Sequence, residues 1–129
     1  MPLLRSTLIA GLLLVCAGCA NPFASSRVTL RVEELVVPEA PSRNAAFAVT
    51  LTVVTGGCRS FDRIDGKRST GRLVLTAIGR DNGGRRKLCP TDVRYEEWSY
   101  TVAPPFDAQF AVVARQPDAT EIVREIRFD

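Results

Sequence analysis

Histidine is absent from the 129 residues. That removes the commonest general base, the commonest metal ligand and the usual protonation switch near neutrality. Lysine is almost as scarce, at Lys67 and Lys87 alone, so Ser25, Ser42, Ser60, Ser69 and Ser99 have no histidine partner and hardly a lysine base. No stretch has the apolar spacing of an amphipathic helix, none repeats, and none is of low complexity. The formal net charge is +3, or +2 without Arg5, too little positive bias to imply nucleic acid. We read no enzyme, no cofactor and no metal site in this chain.

What is present is ordinary globular material. The chain has room for one domain, and its 46% hydrophobic and 24% charged residues argue against wholesale disorder. Met1 to Arg5 carries one positive charge, Ser6 to Val15 is an uncharged apolar run, and the small residues Ala17-Gly18 precede Cys19. This is the three-part layout of a secretory signal, with an apolar run short for a spanning helix.

Ala17-Gly18-Cys19 resembles the lipobox of bacterial lipoproteins. The resemblance implies cleavage after Gly18, a diacylglycerol thioether on Cys19, and residence in the cell envelope outside the cytoplasm. Position 16 is usually leucine in that pattern and is cysteine here. Cys16 follows the bulky Val15, so Cys19 is the better candidate for lipidation. Ala20, being other than Asp, is permissive for outer-membrane delivery in Gram-negative members. Two or three acyl chains hold a protein firmly, at about 0.8 kcal/mol per buried methylene. We therefore divide the chain into a signal at 1–18, a lipidated tether at 19–26 and a domain at 27–129.

Strand signals fill that domain. Val28, Leu30 and Val32 alternate with polar neighbours, and Phe47, Val49, Leu51 and Val53 do the same. A weaker strand at Phe61–Ile64 is expected to close at Asp65-Gly66, a two-residue hairpin signal. Arg72–Ile78 is apolar on both faces and is expected to be central. Val93–Val102, Phe106–Val112 and Glu121–Phe128 complete about seven strands, separated by turns rich in Gly, Pro and Asp. Short, even strands with such turns predict an all-β antiparallel sandwich or barrel.

With Cys16 in the leader and Cys19 lipidated, Cys58 and Cys89 remain, and an exported pair in an oxidising compartment forms a disulfide. A redox-active pair needs close spacing and a helix N-terminus, and neither is present.

Gly57-Cys58-Arg59-Ser60-Phe61-Asp62-Arg63, Gly79-Arg80, Cys89-Pro90 and Tyr95-Glu96-Glu97 resemble an uncharacterised family of small bacterial lipoproteins. The resemblance covers about residues 27 to 115. It implies a single immunoglobulin-like β-sandwich with this disulfide, and implies no activity. The family often closes on a strand of the type V-x-V-N-G, whereas this chain has Val112-Val113-Ala114-Arg115 and then a further strand.

Few constellations are left to weigh. Glu96 and Glu97 are strand neighbours and point to opposite faces, so they do not make a catalytic pair. Gly83-Gly84-Arg85-Arg86-Lys87 lacks the strand-loop-helix setting of a phosphate loop. Trp98, between Tyr95 and Tyr100, has the chemistry to stack on a sugar, but core and cross-strand packing is the plainer role. From Cys58 to Cys89, nine cations stand against three carboxylates, a formal +6, leaving −4 on the rest of the exported chain. Such asymmetry steers acidic partners, anionic lipid or a cell-surface polyanion. We place the docking surface at Arg80, Arg85, Arg86 and Lys87. The expected function is a membrane-anchored, non-enzymatic interaction module serving an envelope protein or an anionic cell-surface polymer. The alternative is a small-ligand-binding or protease-inhibitor-like lipoprotein.

Overall fold

In a computed structural model, which describes residues 25–84 and 88–128, the alternating stretches form eight strands in two sheets. The signal segment, Cys16, Cys19, the tether to Ala24, and Arg85, Arg86 and Lys87 lie outside the described residues. The strands are β1 (Ser26–Thr29), β2 (Val32–Val36), β3 (Phe47–Thr55), β4 (Arg59–Ser69), β5 (Arg72–Asp81), β6 (Arg94–Val102), β7 (Gln109–Arg115) and β8 (Glu121–Arg127). The described residues contain no helix. The expected all-β sandwich is the fold.

One sheet has the order β2-β3-β6, all antiparallel. The other is built around β5, which is central as its two apolar faces predict. β4 pairs along the whole of β5, from Ser69 opposite Arg72 to Arg59 opposite Asp81. β1 and β7 must therefore share the other edge of β5. β1 takes Ile78 to Asp81, running antiparallel, and β7 takes Arg72 to Leu75, running parallel. β8 closes that side antiparallel to β7. The β5–β7 pair is the one departure from antiparallel pairing, and it arises because the long β6 crossover returns the chain to the starting end of β5.

The predicted first strand divides in two. Val28 lies in the β5 sheet, whereas Val32 and Leu35 face inward from the β3 sheet. The alternation survives the change of sheet, since Leu30 and Val32 are both buried. A side chain holds the crossing point: Gln116 Nε2 donates to the Val32 carbonyl at 2.7 Å, and the Val32 N–H donates to Gln116 Oε1 at 3.0 Å. The amide thus supplies the hydrogen bonds that a neighbouring strand would otherwise give.

The hairpin expected at Asp65-Gly66 does not form. β4 runs straight through it, and the turn comes at Thr70-Gly71, where Gly71 has φ +68°. Gly66 serves a close approach instead: the Tyr100 hydroxyl lies where a Cβ would be. A glycine that reads as a turn is here a gap in a strand, cut for a ring on the opposite sheet.

Val49, Leu51 and Val53 of β3 meet Leu73, Leu75 and Ala77 of β5 and Phe110, Val112 and Ala114 of β7 in one core. Val113 points to the outer face yet has no exposure. β7 lies between β5 and β8, so the 2.7 Å Arg72–Glu121 ion pair joining those strands crosses over the outer face of β7, where Val113 lies.

Candidate functional site

Pairing register brings several distant segments to one end of the sandwich. Asp81, at the end of β5, faces Ser26 of β1 on one side and Arg59 of β4 on the other. Cys58 immediately precedes Arg59 and is bonded to Cys89, with Cα atoms 5.1 Å apart and a sequence separation of 31. The cysteine pair expected from the sequence is therefore closed, and it ties the β3–β4 turn to the segment leading into β6.

Backbone and carboxylate hydrogen bonds complete this end. The Gly57 N–H donates to both the main-chain oxygen (3.1 Å) and the carboxylate (3.0 Å) of Asp92. Asn82 N–H donates to the Cys58 carbonyl at 2.9 Å, and Gly83 N–H to the Asp81 carboxylate at 2.8 Å. Gly56, at φ +113°, packs so closely on the Asp92 carbonyl that no Cβ fits, so both its backbone and its surroundings require glycine. The Gly83 N–H first, and the Arg59 guanidinium second, hold Asp81 below the usual carboxylate range. The Gly57 N–H does the same for Asp92, helped by Arg94. Beside these loops runs a shallow groove of about 360 Å³, lined by Leu30, Arg31, Val54, Pro90, Val93 and Pro117.

Among the described residues, the cations of the basic segment do not gather in a single patch. β4 and β5 span the sandwich from end to end, so the hairpin distributes its charges along that length. Arg63 is engaged by Asp62 (2.9 Å) and Asp65 (2.7 Å), Arg59 by Asp81 (3.2 Å) and Arg72 by Glu121 (2.7 Å). Arg68 lies at the far end, donating to the carbonyls of Ala103 and Pro105 and covering the rings of Phe106 and Phe110. Arg80 is on β5 at the disulfide end, with Ser25 Oγ at 3.5 Å and Asp62 at 3.9 Å. Of the four predicted docking residues it alone is described.

The sequence gives little sign of Arg27, which the β1–β5 register places directly opposite Arg80. Gly79 packs inward on Leu30, so Arg80 faces outward, and Arg27 with it. Nor does composition reveal that Leu88 would be 97% exposed beside Cys89, with Val93 at 62% and Tyr95 at 63% nearby.

The aromatic and acidic candidates of β6 are separated as a strand requires. Glu96 is paired with buried Val53 on the inner face, where it accepts a 2.5 Å hydrogen bond from Thr55, while Glu97 is paired with Thr52 on the outer face. Trp98 and Tyr100 share the inner face, and Tyr95 is outside. Trp98 stacks on Phe61 of β4 at 4.1 Å between centroids and 16° between planes, bridging the two sheets along their open edges. The face available for a sugar is thus partly taken by a phenyl ring. No cluster of three His, Cys, Asp or Glu side chains suited to a metal occurs among the described residues.

The chain matches no family model, no curated protein and no solved structure.

Proposed function

We propose that this chain is a lipid-anchored, extracytoplasmic and non-enzymatic interaction module of the bacterial cell envelope. Cys19 carries the anchor, and the sandwich is presented to an envelope protein or an anionic cell-surface polymer. The observation that carries the reading is the Cys58–Cys89 disulfide, formed at a loop-rich end of a domain that follows a secretory layout and a lipobox. Such crosslinks persist outside the reducing cytoplasm. Ion-paired surface arginines and a sheet pair bridged by side chains support a scaffold that displays surface.

Metabolic labelling with a radioactive fatty acid tests the anchor. Cys19→Ser is expected to abolish labelling and leave unprocessed precursor, whereas Cys16→Ser is labelled as well as wild type. A labelled Cys19→Ser protein overturns the lipoprotein reading. Crosslinking the labelled protein in its native host, followed by identification of the adduct, tests the module. The expected adduct is one envelope protein or glycan, and turnover of a small molecule without any adduct overturns the non-enzymatic part.

A further inference from the structure

The register fixes where the tether leaves the domain. Ser26 is opposite Asp81, and Ser25 reaches Arg80, so the chain enters the sandwich at the disulfide end. Six peptide units separate Cys19 from Ser25, a span of at most about 20 Å when fully extended. Strand β4, which spans the sandwich, is eleven residues long, about 35 Å. An anchor at Cys19 therefore reaches the bilayer from the disulfide end far more readily than from the other.

That same end carries two features suited to a lipid surface. Arg27 and Arg80 are directly opposed and outward, an arrangement that destabilises a sheet unless an anion lies between the cations. Asp62, at 3.9 Å from Arg80, is the nearest carboxylate to either among the described residues. Leu88, Val93 and Tyr95 are exposed there, while at the opposite end the large apolar side chains Phe106, Phe110 and Phe128 are buried.

We propose that the disulfide end is seated on an anionic lipid surface, with lipid phosphates between Arg27 and Arg80 and Leu88 entering the interface. The inference rests on the anchored reading above and names the face that the domain turns toward its membrane. A cation pair attracts an acidic headgroup plane, and an apolar side chain beside it gains from leaving water, the combination found on interfacial surfaces. The opposite end, where β8 terminates, is then turned outward to partners.

Bromine quenching of tryptophan tests this in the full lipidated chain, reconstituted in vesicles of phosphatidylcholine alone or equimolar with phosphatidylglycerol. Leu88→Trp, in a Trp98→Phe background, is expected to lose most of its emission to brominated acyl chains in the anionic vesicles. The loss should shrink when salt is raised. Thr70→Trp in the same background, at the far end, should stay bright. Adding Arg27→Glu and Arg80→Glu should restore the Leu88→Trp emission. Equal quenching of both tryptophans, or quenching indifferent to anionic lipid, overturns the proposal. Hydrogen exchange on the unsubstituted chain gives the same answer without any variant: the amides at 82–84 and 88–93 should be protected by anionic vesicles and not by neutral ones. Mass spectrometry of the sample reads the acyl group separately. Its absence overturns the anchor and this inference together, whereas an acylated protein with unquenched Leu88→Trp overturns this inference alone.

Discussion

At the end of the sandwich where β4 turns into β5, four of the six phenylalanines gather: Phe47, Phe106, Phe110 and Phe128. Phe106 is the hub, 4.8 Å from Phe128, 5.1 Å from Phe47 and 5.3 Å from Phe110, with the Arg68 guanidinium over its face. At the other end the described residues form no such cluster, and Cys58–Cys89, Gly56, Gly57 and the carboxylates of Asp81 and Asp92 close it. The difference shows two ways of finishing a small sandwich. Where loops bring large apolar side chains, burial is enough. Where they bring glycines and charges, a covalent bond and backbone hydrogen bonds take over, and the apolar residues left over are exposed.

Removing the hub should be the most damaging way to break this comparison. Phe106→Ala deletes a ring that is 5% exposed and touches three others, and such truncations cost about 3–5 kcal/mol. Urea unfolding monitored through Trp98 should show that loss with the disulfide intact. A loss under 1 kcal/mol, about the scale of a surface change, would mean the aromatic end contributes little.

Next comes the crosslink. Replacing Cys58 and Cys89 by serine should cost about 3–4 kcal/mol on the chain-entropy model for a loop of 31 residues. The expected pattern is local as well as global: hydrogen exchange should quicken at 56–59 and 88–93 while the Phe106 end keeps its protection. Uniform quickening would show that the two ends are not independently closed.

Much of this was legible before any coordinates. The inward residues of β3 and β7 follow their period-two pattern, and the central place of β5 follows from its two apolar faces. The cysteine pair was legible because Cys58 and Cys89 are the two thiols that fall within the predicted β domain. What was hidden depends on contacts remote in sequence. Gly66 reads as a turn until Tyr100 is placed beside it, and Arg68 reads as an exposed charge until Phe106 and Phe110 arrive beneath it. Arg27 gained meaning only when the register set it opposite Arg80. The long strands also divided the basic segment between both ends, which a count of charge along the chain does not reveal.

Between the two ends, Gln116 ties the β1–β2 crossing to the β7–β8 turn, and its loss should be intermediate. Gln116→Ala leaves the partly buried Val32 N–H and carbonyl without those partners, a cost of about 1–3 kcal/mol. Thermal unfolding reads it, and Gln116→Glu should fare badly as well, because a carboxylate has no N–H to give the Val32 carbonyl. A stable Gln116→Ala protein would show that the strands hold the crossing without help.

Acid should separate the two ends with the smallest effect. Asp81 and Asp92 both titrate below the usual carboxylate range, because their ionised oxygens accept the Gly83 and Gly57 N–H groups respectively. A carboxylate with a folded pKa below its unfolded value, which is about 3.9, stabilises the protein at any pH above that value. The contribution fades as pH falls through the unfolded value and is gone below the folded one. Among the described residues, no backbone N–H at the aromatic end donates to a carboxylate, so its packing should be indifferent to the same change. Amide exchange at Gly57 and Gly83 should therefore quicken, relative to intrinsic rates, between pH 5 and pH 2, while amides of β7 near Phe110 keep their protection. Asp92→Asn retains an oxygen for the Gly57 N–H but loses the charge, so it should remove the acid response at Gly57 and leave that at Gly83. If both glycines respond alike in Asp92→Asn, the acid effect belongs to Asp81 or to the whole fold, and the disulfide end is not held by two separate carboxylates.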